Sequence, residues 1–63
     1  MNYYIALVDE YGNDYGIMES TDKDYISKVF MDLVTPPAYD RMELRGTEED
    51  IDTHLDYEVI QEK

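Results

Sequence analysis

The sequence predicts a small α+β fold, in which an antiparallel sheet carries one amphipathic helix on one face. Three observations predict it: short apolar segments near both ends of the chain, a turn signal between the first two of them, and one longer segment with helical spacing. The expected order is β-hairpin, helix, strand, short helix, strand. The chain has 63 residues, which make one domain over 1–63 and leave no room for a second. Because cysteine is absent, the fold has no disulfide.

The first two strands are predicted as a hairpin. A strand is predicted over 3–10, with its apolar run over 3–8, and Gly12-Asn13 between two strand-like segments indicates a two-residue turn. The return strand is expected over 14–19. The expected register pairs Val8 with Ile17 and Leu7 with Met18.

A helix is predicted to begin after Thr21, which would be its N-cap, with Asp24 at the third position. The helix should stop by Thr35, because Pro36-Pro37 forbids its continuation. Its apolar stripe, at helical spacing, consists of Tyr25, Ile26, Val29, Phe30 and Leu33.

The remaining third of the chain predicts two strands. Residues 41–45 alternate, with Met42 and Leu44 facing inward and Arg41, Glu43 and Arg45 facing outward. Thr47 and the acids after it are a second helix-start signal, which predicts a short helix before a closing strand over 55–61. A continuous helix over 48–62 is the alternative.

Seven tyrosines are many for a chain of this size, and they have two interpretations. Tyr25 is expected in the core, whereas Tyr3, Tyr4, Tyr15 and Tyr57 should divide between the faces of the sheet. These rings can pack the sheet with only their hydroxyls in water. Beside carboxylates they also form a surface that suits Arg and Lys.

The charge is strongly unbalanced. Sixteen Asp and Glu stand against five Lys and Arg, so the formal net charge is −11. The first 20 residues hold four acids and no base, and the last 17 hold seven acids and one lysine. Such a chain repels nucleic acid and anionic membranes and should prefer a basic partner. No apolar segment reaches the ~20 residues of a membrane span. The apolar run over 3–8 is too short for a signal peptide and no Lys or Arg precedes it, so a cytoplasmic protein is expected.

No pattern of catalytic residues rises above chance, so the chain is not expected to be an enzyme or to hold a cofactor. Glu49, Asp50, Asp52 and His54 offer oxygen and nitrogen ligands at close spacing. The spacing lacks the glycine and terminal glutamate of an EF-hand loop. The favoured interpretation is a solvated, acid-rich helix start without metal.

The hairpin over 5–19, the Ser20-Thr21-Asp22 helix start and the acid-rich end resemble, in size, charge and element order, the small acidic anti-CRISPR and other DNA-mimic inhibitors of phages and plasmids. The resemblance covers residues 5–33 and implies binding to a nucleic-acid-binding protein in place of DNA. The capture surface expected from the charge distribution, with an aromatic anchor among acids, is Glu48, Glu49, Asp50, Asp52, Asp56, Tyr57 and Glu58. The alternative is an acidic regulatory or structural interaction module without DNA mimicry, which would form a homodimer through an open sheet edge.

Overall fold

A computed structural model describes all residues, 1–63. The elements are β1 (Asn2–Val8), β2 (Asp14–Ser20), α1 (Lys23–Asp32), β3 (Arg41–Thr47) and β4 (Glu58–Glu62). The four strands form one antiparallel sheet in the order β2-β1-β3-β4. The predicted α+β fold with a small antiparallel sheet and one helix is therefore confirmed.

The hairpin is present, but its turn and register differ from the prediction. The Asp9 carboxylate accepts hydrogen bonds from the amides of Tyr11 and Asn13, both at 2.9 Å, so the side chain organises a five-residue connection over 9–13. Gly12 adopts a φ of 84° within it, which glycine tolerates. Val8 consequently pairs with Asp14 and Leu7 with Tyr15. A bulge leaves Ile17 without a partner, so the expected pairing was wrong.

Helix α1 begins one residue later than predicted. Its N-cap is Asp22, not Thr21, and the Asp22 carboxylate accepts the Tyr25 amide at 3.1 Å. Ile26 and Phe30 are buried as expected, but Tyr25 is 55% exposed, so its assignment to the core was wrong. The helix ends at Asp32, ahead of the two prolines. Its ten residues do not have the length and apolar character that a membrane crossing requires.

The core lies between α1 and one face of the sheet. It consists of Ile5, Leu7, Ile26, Phe30, Met42 and Leu44. Met42 and Leu44 thus face inward, as their alternation in β3 predicted. Burying each such side chain contributes about 1.5–3 kcal/mol, so this cluster is the main source of stability in a chain without disulfides.

Residues 48–57 form neither the short helix nor the start of the closing strand. They follow an irregular path of turns, and β4 begins only at Glu58. Both the short helix and the continuous helix over 48–62 were therefore wrong. The side chains of Thr47 and Glu49 instead bind backbone groups of residues 55 and 56, as described below. We call residues 48–57 the acidic loop.

The sheet face opposite α1 is called the second face. Register places Arg41, Glu43 and Arg45 on it, beside Val8, Ala6 and Tyr4 of β1, in agreement with the predicted alternation. Two of these charged residues are not in solvent, however, since Glu43 is 4% exposed and Arg45 is 3% exposed. Their burial is the most unexpected property of the fold.

Candidate partner-binding surface

The acidic loop is closed at its base by side chains. The Thr47 hydroxyl donates to the Asp56 carbonyl at 2.8 Å and accepts the Glu49 amide at 3.1 Å. The Glu49 carboxylate accepts the amides of Asp56 at 3.1 Å and Leu55 at 3.4 Å. These bonds satisfy backbone groups that a helix or strand would otherwise pair, so the loop has a defined shape.

Two further contacts hold the acidic loop against β1. The side-chain amide of Asn2 donates to the Glu49 carbonyl at 2.8 Å, and the Tyr4 hydroxyl lies 2.7 Å from His54 Nε2. His54 Nδ1 lies 2.6 Å from the Ile51 carbonyl, which can only accept, so Nδ1 carries a hydrogen. In the neutral ring Nε2 then accepts from Tyr4. Burial raises the pKa of the Tyr4 hydroxyl above its ordinary value of 10.0, which keeps it a donor at neutral pH.

Beneath the loop lies a buried ionic network. Arg45 Nε donates to Glu43 at 2.7 Å and Arg45 Nη1 to Asp14 at 2.6 Å, while Arg41 Nε donates to Glu43 at 2.9 Å. The Arg45 guanidinium also lies 4.2 Å from the ring centroid of Tyr57. No buried side-chain polar atom lacks a partner, which is the condition under which buried charges are tolerated.

The pKa shifts follow from this geometry. Burial disfavours ionisation of the Glu43 carboxyl, but the hydrogen bonds from Arg41 and Arg45 outweigh it and hold its pKa below the ordinary 4.5. Burial likewise acts to lower the pKa of Arg45, and the hydrogen bonds with Asp14, Tyr4 and Glu43 raise it instead. Both groups are therefore charged at neutral pH and neutralise each other.

This network buries Arg45 and pairs both arginines of the second face with acids of the chain itself. Arg41 and Arg45 make all four salt bridges of the chain, to Asp14, Asp40 and Glu43. The three lysines lie elsewhere. Lys23 and Lys28 are in α1, and the Lys63 ammonium donates to the Met31 carbonyl at the end of that helix. The acids of the loop consequently have no lysine among them.

The acids of the two chain ends meet in neighbouring depressions. A groove of about 730 Å³ runs between β2 and the acidic loop, and Asp14, Glu19 and Asp52 line it. Glu19 and Asp52 also line the next depression, together with Asp50. A third depression, at the base of the loop, is lined by Glu48, Glu49, Asp56 and Glu58. The loop, and not β4, brings the ends together, because β2 and β4 are opposite edges of the sheet.

The structure places the seven residues of the expected capture surface in or next to the acidic loop, and all are exposed. Glu48, Asp50, Asp52, Asp56 and Glu58 have carboxylates that make no ion pair. Glu49 differs, since its carboxylate closes the loop. The Tyr57 ring is 46% exposed and contacts the chain's own Arg45. A partner would therefore meet a ring that is already held in place.

Sequence reasoning missed Glu19, which joins the two sets of acids, and the supporting residues Tyr4, Arg45 and His54. Glu19 carries no local signal, because only the path of the loop brings Asp52 beside it. The alternation of Arg41, Glu43 and Arg45 predicts only that these side chains face outward, and it does not predict that Glu43 and Arg45 are buried there.

No group of three or more His, Asp and Glu side chains is placed to hold a metal ion. In the Glu49-to-His54 segment, the Glu49 carboxylate and both ring nitrogens of His54 already have hydrogen-bond partners within the protein. In comparisons with known proteins, no protein-family model, no curated protein and no solved structure matches this chain.

Proposed function

We propose that this chain binds the nucleic-acid-binding surface of a basic protein and inhibits it by taking the place of nucleic acid. The observation that carries the proposal is the set of unpaired carboxylates that continues from Glu19 across the acidic loop to Glu58, with no lysine within it. Arg and Lys side chains that are arranged to bind phosphates would meet carboxylates there that are not already paired with a cation of this chain.

The dimensions of the protein support the same proposal. The longest extent is 29 Å, over which duplex DNA carries about 17 phosphate charges at one per ~1.7 Å. The chain carries 16 carboxylates, and its basic residues lower the net charge to −11. The protein thus offers a charge of the same order as the duplex that it would replace.

Preorganisation also favours binding. The side-chain bonds that close the acidic loop fix the backbone that carries its carboxylates before a partner arrives, so little backbone conformational entropy is lost on association. A disordered acidic tail would lose far more.

The experiment is affinity capture from bacterial lysate, followed by release with duplex DNA. A matched bait carries Glu48→Gln, Asp50→Asn, Asp52→Asn and Glu58→Gln, all at exposed positions. Proteins captured by the natural chain but not by the neutralised bait should elute with DNA. Their affinity should fall roughly 100-fold between 50 and 200 mM salt, in line with the salt dependence of protein–DNA contacts.

Two outcomes would reject the proposal. Captured proteins that stay bound in excess DNA do not use a nucleic-acid-binding surface. Affinity that is flat with salt would mean that the carboxylates do not carry the interaction. Either result would favour the acidic interaction module without DNA mimicry. Sedimentation of the isolated chain separately tests the homodimer that this alternative includes.

A further inference from the structure

We propose that the groove between β2 and the acidic loop binds an extended segment of the partner protein, in which an apolar side chain and a Lys or Arg stand two residues apart. The inference rests on the proposed function only for the basic character of the partner. The inference adds that the partner segment carries an apolar side chain at a fixed spacing from its basic one, which the charge of the surface alone would not require.

The groove offers apolar surface that the chain leaves uncovered. Ile17, at the bulge in β2, is 48% exposed, and Leu55, on the opposite wall, is 87% exposed. Tyr57 contributes a half-exposed ring. A volume of about 730 Å³ lies in the range of sites that take several groups of a ligand, so a chain segment fits it better than one side chain does.

The charge of the groove selects a basic segment. Glu19 and Asp52 line it, and neither takes part in any salt bridge of the chain. Asp14 is already bound to Arg45, so the free negative charge lies at the Glu19 end. A second copy of this chain would bring its own −11 to that position and is disfavoured.

The spacing comes from β2. Ile17 and Glu19 are two residues apart on a strand and line the same groove, so their side chains lie about 6.6 Å apart along it. An extended segment beside β2 has the same repeat. An apolar side chain against Ile17 therefore places a side chain two residues away against Glu19 and Asp52, the later one if the segment runs parallel to β2 and the earlier one if it runs antiparallel.

Gly16 keeps the floor of the groove open. A Cβ built at Gly16 would have no atom within 4 Å, and its φ lies outside the left-handed region, so a larger residue is tolerated there. Such a residue would project into the groove without changing any charge. Gly16→Leu is consequently a direct test of occupancy.

The experiment titrates the isotope-labelled chain with two peptides of equal charge and follows amide NMR shifts. One is acetyl-SRSLSR-amide, in which arginine stands two residues from leucine on both sides, and the other is acetyl-SRSGSR-amide. The leucine peptide should bind about 5-fold more tightly, because partial burial of its side chain adds to the ionic contacts. Its shifts should concentrate on residues 14–19 and 51–57. Equal affinities, or shifts confined to residues 48–50 and 58, would overturn the inference.

Two matched pairs of variants complete the test. Gly16→Leu should abolish the preference for the leucine peptide, whereas Ala38→Leu, in an exposed turn, should retain it. Glu19→Gln with Asp52→Asn should weaken both peptides about 5-fold, and the control Glu10→Gln with Asp32→Asn, which removes the same charge elsewhere, less than about 2-fold. Variants that all behave like their controls would overturn the groove as the site.

The experiments distinguish a failure of the groove inference from a failure of the proposed function. If the peptide test fails while captured proteins are still released by DNA, the groove inference is wrong and the proposed function stands. If the peptide test succeeds while captured proteins resist DNA, the groove binds a basic segment and the proposed competition with nucleic acid is wrong.

Discussion

The two faces of the sheet are buried in different ways. The face under α1 is covered by apolar side chains, among which Ile5, Ile26 and Leu44 are fully buried. The second face is covered by an irregular loop, and it buries Glu43 and Arg45 together with Tyr4. Consecutive residues of β3 thus alternate between an apolar core and an ionic network.

The two faces therefore have different roles: the helix face stabilises the fold, and the second face supports the proposed binding surface. Apolar burial contributes folding free energy without directional requirements, whereas buried ion pairs contribute little net stability and depend on their partners being present. The network instead keeps Arg45 away from the surface, pairs the partly exposed Arg41 with Asp40 and Glu43, and supports the loop through the contact of Arg45 with Tyr57. The acids of that surface therefore remain available to a partner. Four predictions test this division, from the largest expected effect to the smallest.

The largest effect is expected in the apolar core. Leu44→Ala leaves a cavity between the sheet and α1 and should lower the free energy of unfolding by about 3–4 kcal/mol. In a domain of this size that is most of the stability. Urea denaturation measures it. A control at an exposed apolar residue, Met31→Ala, should change it by less than about 0.5 kcal/mol. A comparable loss at both positions would contradict the assignment of the core.

A somewhat smaller effect is expected in the network. Arg45→Met should lower the free energy of unfolding by about 2–3 kcal/mol, because it leaves Glu43 buried with only Arg41 as partner. Adding Glu43→Leu should recover about 1–2 kcal/mol, since the groups then left without a network partner, Asp14 and Arg41, are both partly exposed and no unpaired charge remains buried. Urea denaturation of both variants checks this. A double variant less stable than Arg45→Met alone would mean that the network is itself a major source of stability.

The third prediction is a pH dependence. The folded-state pKa of Glu43 is depressed, so its contribution to stability is present above its unfolded value of 4.5 and is lost as pH falls through the folded value. Between pH 6 and pH 3 the natural chain should therefore lose more stability than Glu43→Gln. Thermal melts across this range give the comparison. Parallel curves for the two proteins would exclude Glu43 as the group responsible.

The smallest effect is expected at the contact that holds the loop. Tyr4→Phe removes the hydrogen bond to His54 and should cost about 1 kcal/mol. The amide of Asp56 should exchange faster with solvent, while the amides of β1 and β3 keep their protection. Tyr11→Phe, at a ring that is 81% exposed, is the control. Unchanged exchange at Asp56 would show that the base of the loop holds it without Tyr4.

The sequence predicted the elements of the helix face well, because the residues buried there are apolar and recur at the spacing of a strand or a helix. Met42 and Leu44 alternate with charged residues, and Ile26 and Phe30 recur at helical spacing. The boundaries of the helix and strands and the register of the hairpin were harder to predict from the sequence. They depend on single polar side chains, such as the Asp9 carboxylate that extends the hairpin turn and the Asp22 carboxylate that caps α1.

The candidate site could be predicted only in part. The acids of the loop follow from local composition, but the position of Glu19 beside them depends on the tertiary path of residues 48–57. That path depends in turn on Thr47 and Glu49, whose side chains also fit a helix start. Nothing in the local sequence pattern shows whether Thr47 and Glu49 begin a helix or close a loop. The burial of Arg45 is a further consequence of the loop and was equally hidden.

The strand order also has a consequence for how the protein folds. The central ladder joins β1 to β3, whose residues lie about forty positions apart, and β4 can pair only after β3 is in place. Closing so long a connection costs conformational entropy before its contacts form, which slows folding relative to a helical bundle of equal length. We expect the hairpin and the helix to form early and transiently. A nascent chain would then complete its sheet, and with it the acidic surface, only once nearly all of it has been synthesised.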